Sequence, residues 1–110
     1  MGRTAGCRVR APATSGGRYR AWQTMRLFRK SGTAWSVRQL ASLGETSEHN
    51  VGAFVRGLMR HGYLAVVRPK REGVVLGDTL YRLVRDTGPY APRVRVDGSL
   101  YDPNTGEEMQ

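Results

Sequence analysis

The sequence predicts an α+β fold in which three helices precede a two-stranded antiparallel hairpin. Apolar residues recur at helical spacing in three successive segments between residues 18 and 61. Two strand-like runs follow at 63–68 and 79–85, separated by a loop that contains proline and glycine. The chain has 110 residues and its ends are poor in large apolar side chains, so we expect one folded domain at 18–86.

The first helix is predicted from Arg18 to Lys30. Trp22, Met25 and Phe28 recur on one side of it, which is the pattern of a helix with one buried face. Gly32 follows and can take the left-handed backbone conformation that commonly ends a helix.

A short extended link at Thr33–Trp35 leads to the second helix. Ser36 and Gln39 match a capping box, in which the side chains bond free backbone N–H groups of the first turn. Leu40-Ala41 supplies the buried face, and Gly44 closes this short helix. The link is therefore predicted to be a short strand between the first and second helices.

The third helix is predicted at about 47–61, with Ser47 as its N-cap. Its apolar residues form one stripe at the spacing i, i+3, i+4 and i+7, namely Val51, Phe54, Val55 and Leu58. If this stripe is buried, the other residues of the helix face outward. These are Glu48, His49, Asn50, Gly52, Ala53, Arg56 and Gly57.

Segments of different composition lie on each side of this domain. Residues 1–17 are rich in glycine, alanine and arginine, and predict a disordered basic arm. Residues 87–110 are acidic and contain several prolines, and predict a flexible tail with a small hairpin at 94–101. The single cysteine, Cys7, cannot form an internal disulfide.

Charge is the strongest indication of a partner. The formal net charge is +9, and 16 of the 18 basic residues are arginine. Residues 1–44 contain nine basic and no acidic residues, whereas residues 86–110 contain two basic and five acidic residues. A basic chain of this kind is typical of proteins that bind a polyanion, either nucleic acid or an anionic membrane surface.

Several short motifs between Trp35 and Arg85 occur at the spacing found in one protein family. They are Leu40-Ala41, Gly44, Ser47, Val51 and Gly62-Tyr63-Leu64. In this respect the segment resembles the winged helix-turn-helix family of DNA-binding proteins. Motifs near the C-terminus also resemble small regulators of transposable, Mu-like phages, namely Asp86-Thr87-Gly88-Pro89 and Asp102-Pro103-Asn104.

The resemblance implies a double-stranded DNA-binding protein that regulates transcription. Its third helix would lie in the major groove, where residues near the N-terminus reach base edges, and its wing at 68–78 would lie on the flanking backbone. The expected base contacts are Glu48, His49, Asn50 and Ala53. The expected backbone contacts are Arg38, Ser47, Arg56, Arg60, Arg68, Lys70 and Arg71. The expected arm contacts are Arg3, Arg8, Arg10, Arg18 and Arg20.

Simpler explanations exist for several of these residues. The helix dipole favours an acid such as Glu48 in a first turn without any DNA. His49 and Asn50 can be plain surface residues, and a few basic residues at a hairpin tip are a weak indication of binding.

No catalytic motif, metal site or cofactor is expected, so the sequence predicts a protein that is not an enzyme. It contains too few histidines and cysteines for a zinc site of known spacing, and no phosphate-binding loop. No membrane association is expected either, because the apolar runs are short and no secretory signal is recognisable. We therefore expect a cytoplasmic protein, associated with the nucleoid or the host-cell cytoplasm.

Two other functions remain open at this point. The chain could be a protein-interaction module whose acidic tail binds a protein partner or a second copy in a homodimer. The other is RNA binding, which would need exposed aromatic residues on a sheet. Only Tyr63 and Tyr81 are candidates, and both are predicted to be buried.

Overall fold

The computed structural model describes residues 11–73 and 77–110. Within these residues the chain forms an α+β fold of three helices and two small antiparallel sheets, which confirms the predicted class. The layout is compatible with a winged-helix-like arrangement. The helices are α1 (Gly17–Ser31), α2 (Val37–Leu43) and α3 (Glu48–Arg60). The strands are β1 (Leu64–Arg68), β2 (Leu80–Leu83), β3 (Arg93–Val94), β4 (Leu100–Tyr101) and β5 (Glu108–Met109).

The predicted helix caps form. Ser36 Oγ accepts a hydrogen bond from the Gln39 N–H at 3.1 Å, and Ser47 Oγ accepts one from the Asn50 N–H at 3.0 Å. Gly32 has a φ of 73°, in the left-handed region, and its N–H bonds back to α1. Because such local signals determine where a helix begins and ends, the helix boundaries agree closely with those predicted from the sequence.

The first sheet follows the predicted topology. β1 pairs with β2 in antiparallel register, Leu64 opposite Leu83, with an irregularity near Arg68. The predicted short strand between the first two helices is a single bridge, in which Trp35 and Tyr81 exchange backbone hydrogen bonds of 3.0 and 2.8 Å. Their rings also stack, with centroids 5.4 Å apart.

The core is built on the stripe that the sequence predicted for α3. Its four members are at most 1% exposed, namely Val51, Phe54, Val55 and Leu58. Trp22 and Met25 of α1 and Leu40 of α2 pack against them, each with no exposed surface. Burial of such a side chain stabilises the fold by about 1.5–3 kcal/mol, so this cluster fixes the orientation of α3 in the domain.

The C-terminal segment differs from the flexible tail that the sequence predicts at 87–110. It forms a three-stranded sheet in the order β3-β4-β5, and Leu100 and Asp102 within it have no exposed surface. The hairpin expected at 94–101 is present, with a turn at Asp97-Gly98 in which Gly98 has a φ of 89°. Sequence analysis missed the packing because one buried leucine in a polar, proline-rich segment produces no periodic pattern.

Hydrogen bonds from buried residues attach this segment to the helices. The indole N–H of Trp22 donates to the carbonyl of Gly88 at 2.8 Å. Arg26 of α1 forms an ion pair with Asp86 at 3.0 Å. Because the indole N–H lies in the core and finds its acceptor in residues 86–110, this segment belongs to the folded domain.

Asp102 is the centre of the second attachment. One of its carboxylate oxygens accepts from the Tyr63 hydroxyl at 2.6 Å and from the Thr87 hydroxyl at 2.7 Å. The other accepts from the backbone N–H of Asn104 at 2.8 Å. A buried carboxylate needs such donors because an unpaired charge in the interior is costly, so Asp102 and Tyr63 join the C-terminal segment to the end of α3.

Tyr63 should make the protein less stable at alkaline pH. Its burial, and then its hydrogen bond to Asp102, raise the pKa of Tyr63 above the ordinary value. Above about pH 10 an unfolded chain loses this proton while the folded chain keeps it. The free energy of unfolding therefore falls as the pH rises through this range. The Tyr63→Phe protein should lose less stability over the same range. Urea unfolding midpoints between about pH 9 and 11 measure this, and equal losses in both proteins would contradict it.

Candidate nucleic-acid interface

The outward face of α3 is narrower than the sequence predicted. His49, Arg56 and Arg60 are exposed and Ala53 is half-buried. Their spacing of four, three and four residues places them along one side of the helix, and we call these four residues the outer stripe. Glu48 is also exposed, but lies to one side of the outer stripe, near Arg38 of α2.

Asn50 does not face outward as expected. Its side-chain oxygen accepts from Arg18 Nε at 2.9 Å, and its amide nitrogen donates to the Thr46 hydroxyl at 3.2 Å. Because both ends of the amide are bonded within the chain, Asn50 joins α1 to α3 in this structure. It is not presented for bidentate pairing with a base.

Gly52 and Gly57 are also buried, in contrast to the expected outward orientation. A Cβ atom on Gly57 would lie 2.2 Å from Cγ1 of Val94, because β3 packs directly on this side of α3. A Cβ atom on Gly52 would lie 3.4 Å from the guanidinium of Arg56. The small size of Gly57 therefore allows the approach of β3, and sequence analysis missed this because it placed β3 in a flexible tail.

Arg18 lies in α1, where the first helix was predicted to begin, and its side chain is bonded within the fold and does not extend as one of the expected arm contacts. Besides Asn50, its guanidinium bonds the carbonyl of Val94 at 3.3 Å and lies 5.6 Å from the centre of the Phe54 ring. Burial lowers the pKa of Arg18. This side chain therefore braces α1, α3 and β3 against one another.

The other expected arm residues differ in position. Arg20 also lies in α1, where its Nε donates to the carbonyl of Gly44 at 2.7 Å. It therefore braces the turn between α2 and α3. The remaining ones lie outside the residues that the structure describes, namely Arg3, Arg8 and Arg10.

One flank of the outer stripe is formed by α2 and the β1–β2 hairpin. Arg38 forms an ion pair with Asp78 at 3.0 Å, and the hydrogen bond to Asp78 raises the pKa of Arg38. Together with Glu48 and Lys70 they line a small cleft that contains two acidic and two basic groups. The charges that line this cleft are therefore balanced.

The remaining backbone-contact candidates are near the same flank. Arg68 donates to the carbonyl of Asp78 at 3.0 Å, so its side chain supports the hairpin. Lys70 and Arg71 are exposed next to the hairpin tip. Ser47 is exposed, and its hydroxyl can still donate to an acceptor while its oxygen caps α3.

The opposite flank is formed by the β3–β4 hairpin, and the cleft between this hairpin and α3 has a volume of about 460 Å³. Four arginines line it together with Val94 and Val96, and no acidic residue is among its lining residues. The arginines are Arg18, Arg56, Arg60 and Arg95. Sequence analysis missed Arg95, although the alternation of arginine and valine at 93–96 beside a predicted hairpin was a usable signal.

Comparisons of the chain with protein-family models, with curated proteins and with solved structures found no match. Across residues 11–73 and 77–110, no helix is long and apolar enough to cross a membrane. The same residues contain no group of three or more histidine, cysteine, aspartate or glutamate side chains placed to hold a metal ion.

Proposed function

We propose that this protein binds double-stranded DNA as a winged helix-turn-helix protein, with α3 in the major groove. One observation carries the proposal: the outer stripe of α3 presents short or basic side chains and lies between two flanks that contain further basic residues. A groove-reading helix needs this combination, because bases lie at the bottom of the groove and phosphates border it on both sides.

The dimensions of α3 suit this role. An α-helix with its side chains is about 10–12 Å in diameter, and the major groove of B-DNA is about 12 Å wide. Ala53, at the middle of the outer stripe, allows a close approach and can contact a thymine methyl group. His49 and Arg56 flank it and offer donors to guanine or to phosphate.

The charges of the chain leave the outer stripe positive. Arg26, Arg85 and Arg95 form ion pairs with acidic residues of the C-terminal segment, and the side chains of the Arg95–Glu108 pair are about half exposed. Within the described part of the chain, the side chains of Arg56 and Arg60 form no hydrogen bond or ion pair. Their charge is therefore available to an external anion, and a DNA backbone supplies one at close spacing.

The protein-interaction alternative has less support. A contact through the acidic tail needs free acidic groups, but the five acids of residues 86–110 all accept hydrogen bonds from other residues of the chain. They are Asp86, Asp97, Asp102, Glu107 and Glu108. We therefore retain transcriptional regulation through DNA as the proposed role, in line with the resemblance to small phage regulators.

Arg56→Gln should weaken DNA binding in a salt-dependent way. Loss of one phosphate contact reduces the slope of log affinity against log salt by about 0.9. Fluorescence anisotropy with a labelled duplex of about 24 bp, between about 0.05 and 0.2 M NaCl, measures both affinity and slope. Arg82→Gln is the matched control, because Arg82 is exposed on β2 beside Phe28 and Arg29, away from the outer stripe.

Two results would argue against the proposal. If the wild-type protein fails to bind the duplex at the lowest salt, DNA binding is excluded. If Arg82→Gln changes the slope as much as Arg56→Gln, attraction to DNA is a property of total charge and not of α3.

His49→Ala should change the preferred sequence, which selection from a random duplex library would detect.

A further inference from the structure

The β3–β4 hairpin is held firmly beside α3. Val94 covers Gly57, and at the other end of the hairpin the carbonyl of Gly98 forms a hydrogen bond of 2.8 Å with Nε2 of His61. The guanidinium of Arg60 lies against Gly98, so closely that a Cβ atom there would be 2.7 Å from Nη1. The cleft between hairpin and helix therefore has walls fixed by packing and hydrogen bonds.

The lining of this cleft is also more basic than that of the cleft between α2 and the β1–β2 hairpin. Arg18, Arg56, Arg60 and Arg95 all line it. Two carboxylates lie close to it without lining it. Glu108 pairs with Arg95, and Asp97 is occupied by the N–H and hydroxyl of Ser99 at 2.9 and 2.7 Å.

We infer that this cleft binds a phosphodiester group of the DNA backbone, because it places four arginines around a concave surface beside the outer stripe. The β3–β4 hairpin then acts as a second backbone-contacting element, on the opposite side of α3 from the β1–β2 hairpin. This inference rests on the proposed function. Arginine suits the task because its planar fork donates two parallel hydrogen bonds to phosphate oxygens.

The position of the cleft favours a duplex backbone as the source of the phosphate. A helix in the major groove has a phosphate strand on each side. On the β1–β2 side, Glu48 and Asp78 offset the charges of Arg38 and Lys70. The lining of the β3–β4 cleft therefore carries more positive charge than the lining of the cleft on the other flank. Val96 at the hairpin tip is fully exposed and is placed to contact the adjoining sugar.

Arg95→Gln and Glu108→Gln test the inference in opposite directions. In the anisotropy experiment, Arg95→Gln should lower the salt slope by about 0.9 and weaken binding about three- to tenfold near 0.1 M salt. Glu108→Gln should strengthen binding, because Arg95 loses its internal partner. Glu107→Gln is the matched control, since Glu107 pairs with Arg85 on the far side of the segment, and it should leave the binding curve unchanged.

Arg95→Lys separates loss of charge from loss of structure. If the wild-type slope survives in Arg95→Lys and falls in Arg95→Gln, the charge itself contacts the backbone. If Arg95→Gln and Glu108→Gln both bind like Glu107→Gln while His49→Ala still changes the preferred sequence, the inference is overturned and the proposed function stands. If the wild-type protein does not bind the duplex, both are overturned together.

Discussion

Replacement of Asp102 with alanine is expected to lower the free energy of unfolding by about 3–5 kcal/mol. The carboxylate has no exposed surface and accepts hydrogen bonds from Tyr63, Thr87 and Asn104. Its removal takes the acceptor from the Tyr63 hydroxyl in the interior, and from the Thr87 hydroxyl and the Asn104 N–H, which are half-buried, so that water can replace it there. A lost bond to a charged group costs about 1.5–3 kcal/mol where nothing replaces it. Small domains have total stabilities of about 5–15 kcal/mol, so the loss is severe.

Urea unfolding followed by tryptophan fluorescence measures this effect, because Trp22 and Trp35 are both fully buried. Asp97→Ala is the matched control: Asp97 lies in the same segment and accepts hydrogen bonds from Ser99, but it is exposed. Its replacement should have a much smaller effect. An Asp102→Ala protein with the wild-type unfolding midpoint would show that the C-terminal segment does not stabilise the fold.

Gly57→Ala is expected to destabilise the protein, although alanine normally favours a helix over glycine. The new Cβ atom would lie 2.2 and 2.7 Å from the two methyl groups of Val94, so β3 must move. Overpacking of this kind costs about 1–3 kcal/mol, against a gain of about 0.5–1 kcal/mol from helix propensity. We therefore expect a net loss of about 1–2 kcal/mol and a hairpin displaced from α3.

Gly52→Ala provides the comparison within the same helix. The atom nearest to a Cβ at position 52 is 3.4 Å away, at the flexible end of Arg56. The higher helix propensity of alanine should therefore dominate, and the protein should become slightly more stable. Val94→Ala removes both methyl groups and should relieve much of the cost of Gly57→Ala, which a double-mutant cycle measures by urea unfolding. If Gly57→Ala and Gly52→Ala have equal effects, β3 does not pack on α3.

The sequence was sufficient for the elements whose determinants are local. Ser36 and Ser47 cap helices because a serine oxygen reaches the N–H three residues later. The stripe from Val51 to Leu58 is buried because four apolar residues at helical spacing allow only one face to pack. Together these features predicted three helices, their boundaries and the buried side of α3.

The C-terminal segment shows where such reasoning fails. The indole of Trp22 and the hydroxyl of Tyr63 are far apart in the chain, and each is joined to residues 86–110 by a single hydrogen bond that leaves no periodic pattern. Packing of Val94 on Gly57 narrows the outward face of α3 and forms one wall of the arginine-lined cleft. Separately, Arg18 of α1 occupies the expected base-contact residue Asn50.

The amino-acid sequence by itself determined which residues form helices and which side of α3 is buried, because capping and amphipathic periodicity act between neighbours a few residues apart. Only the tertiary structure decided what covers the other sides of α3. That outcome depends on hydrogen bonds and close packing between segments distant in the chain, whose geometry exists only after the core has formed.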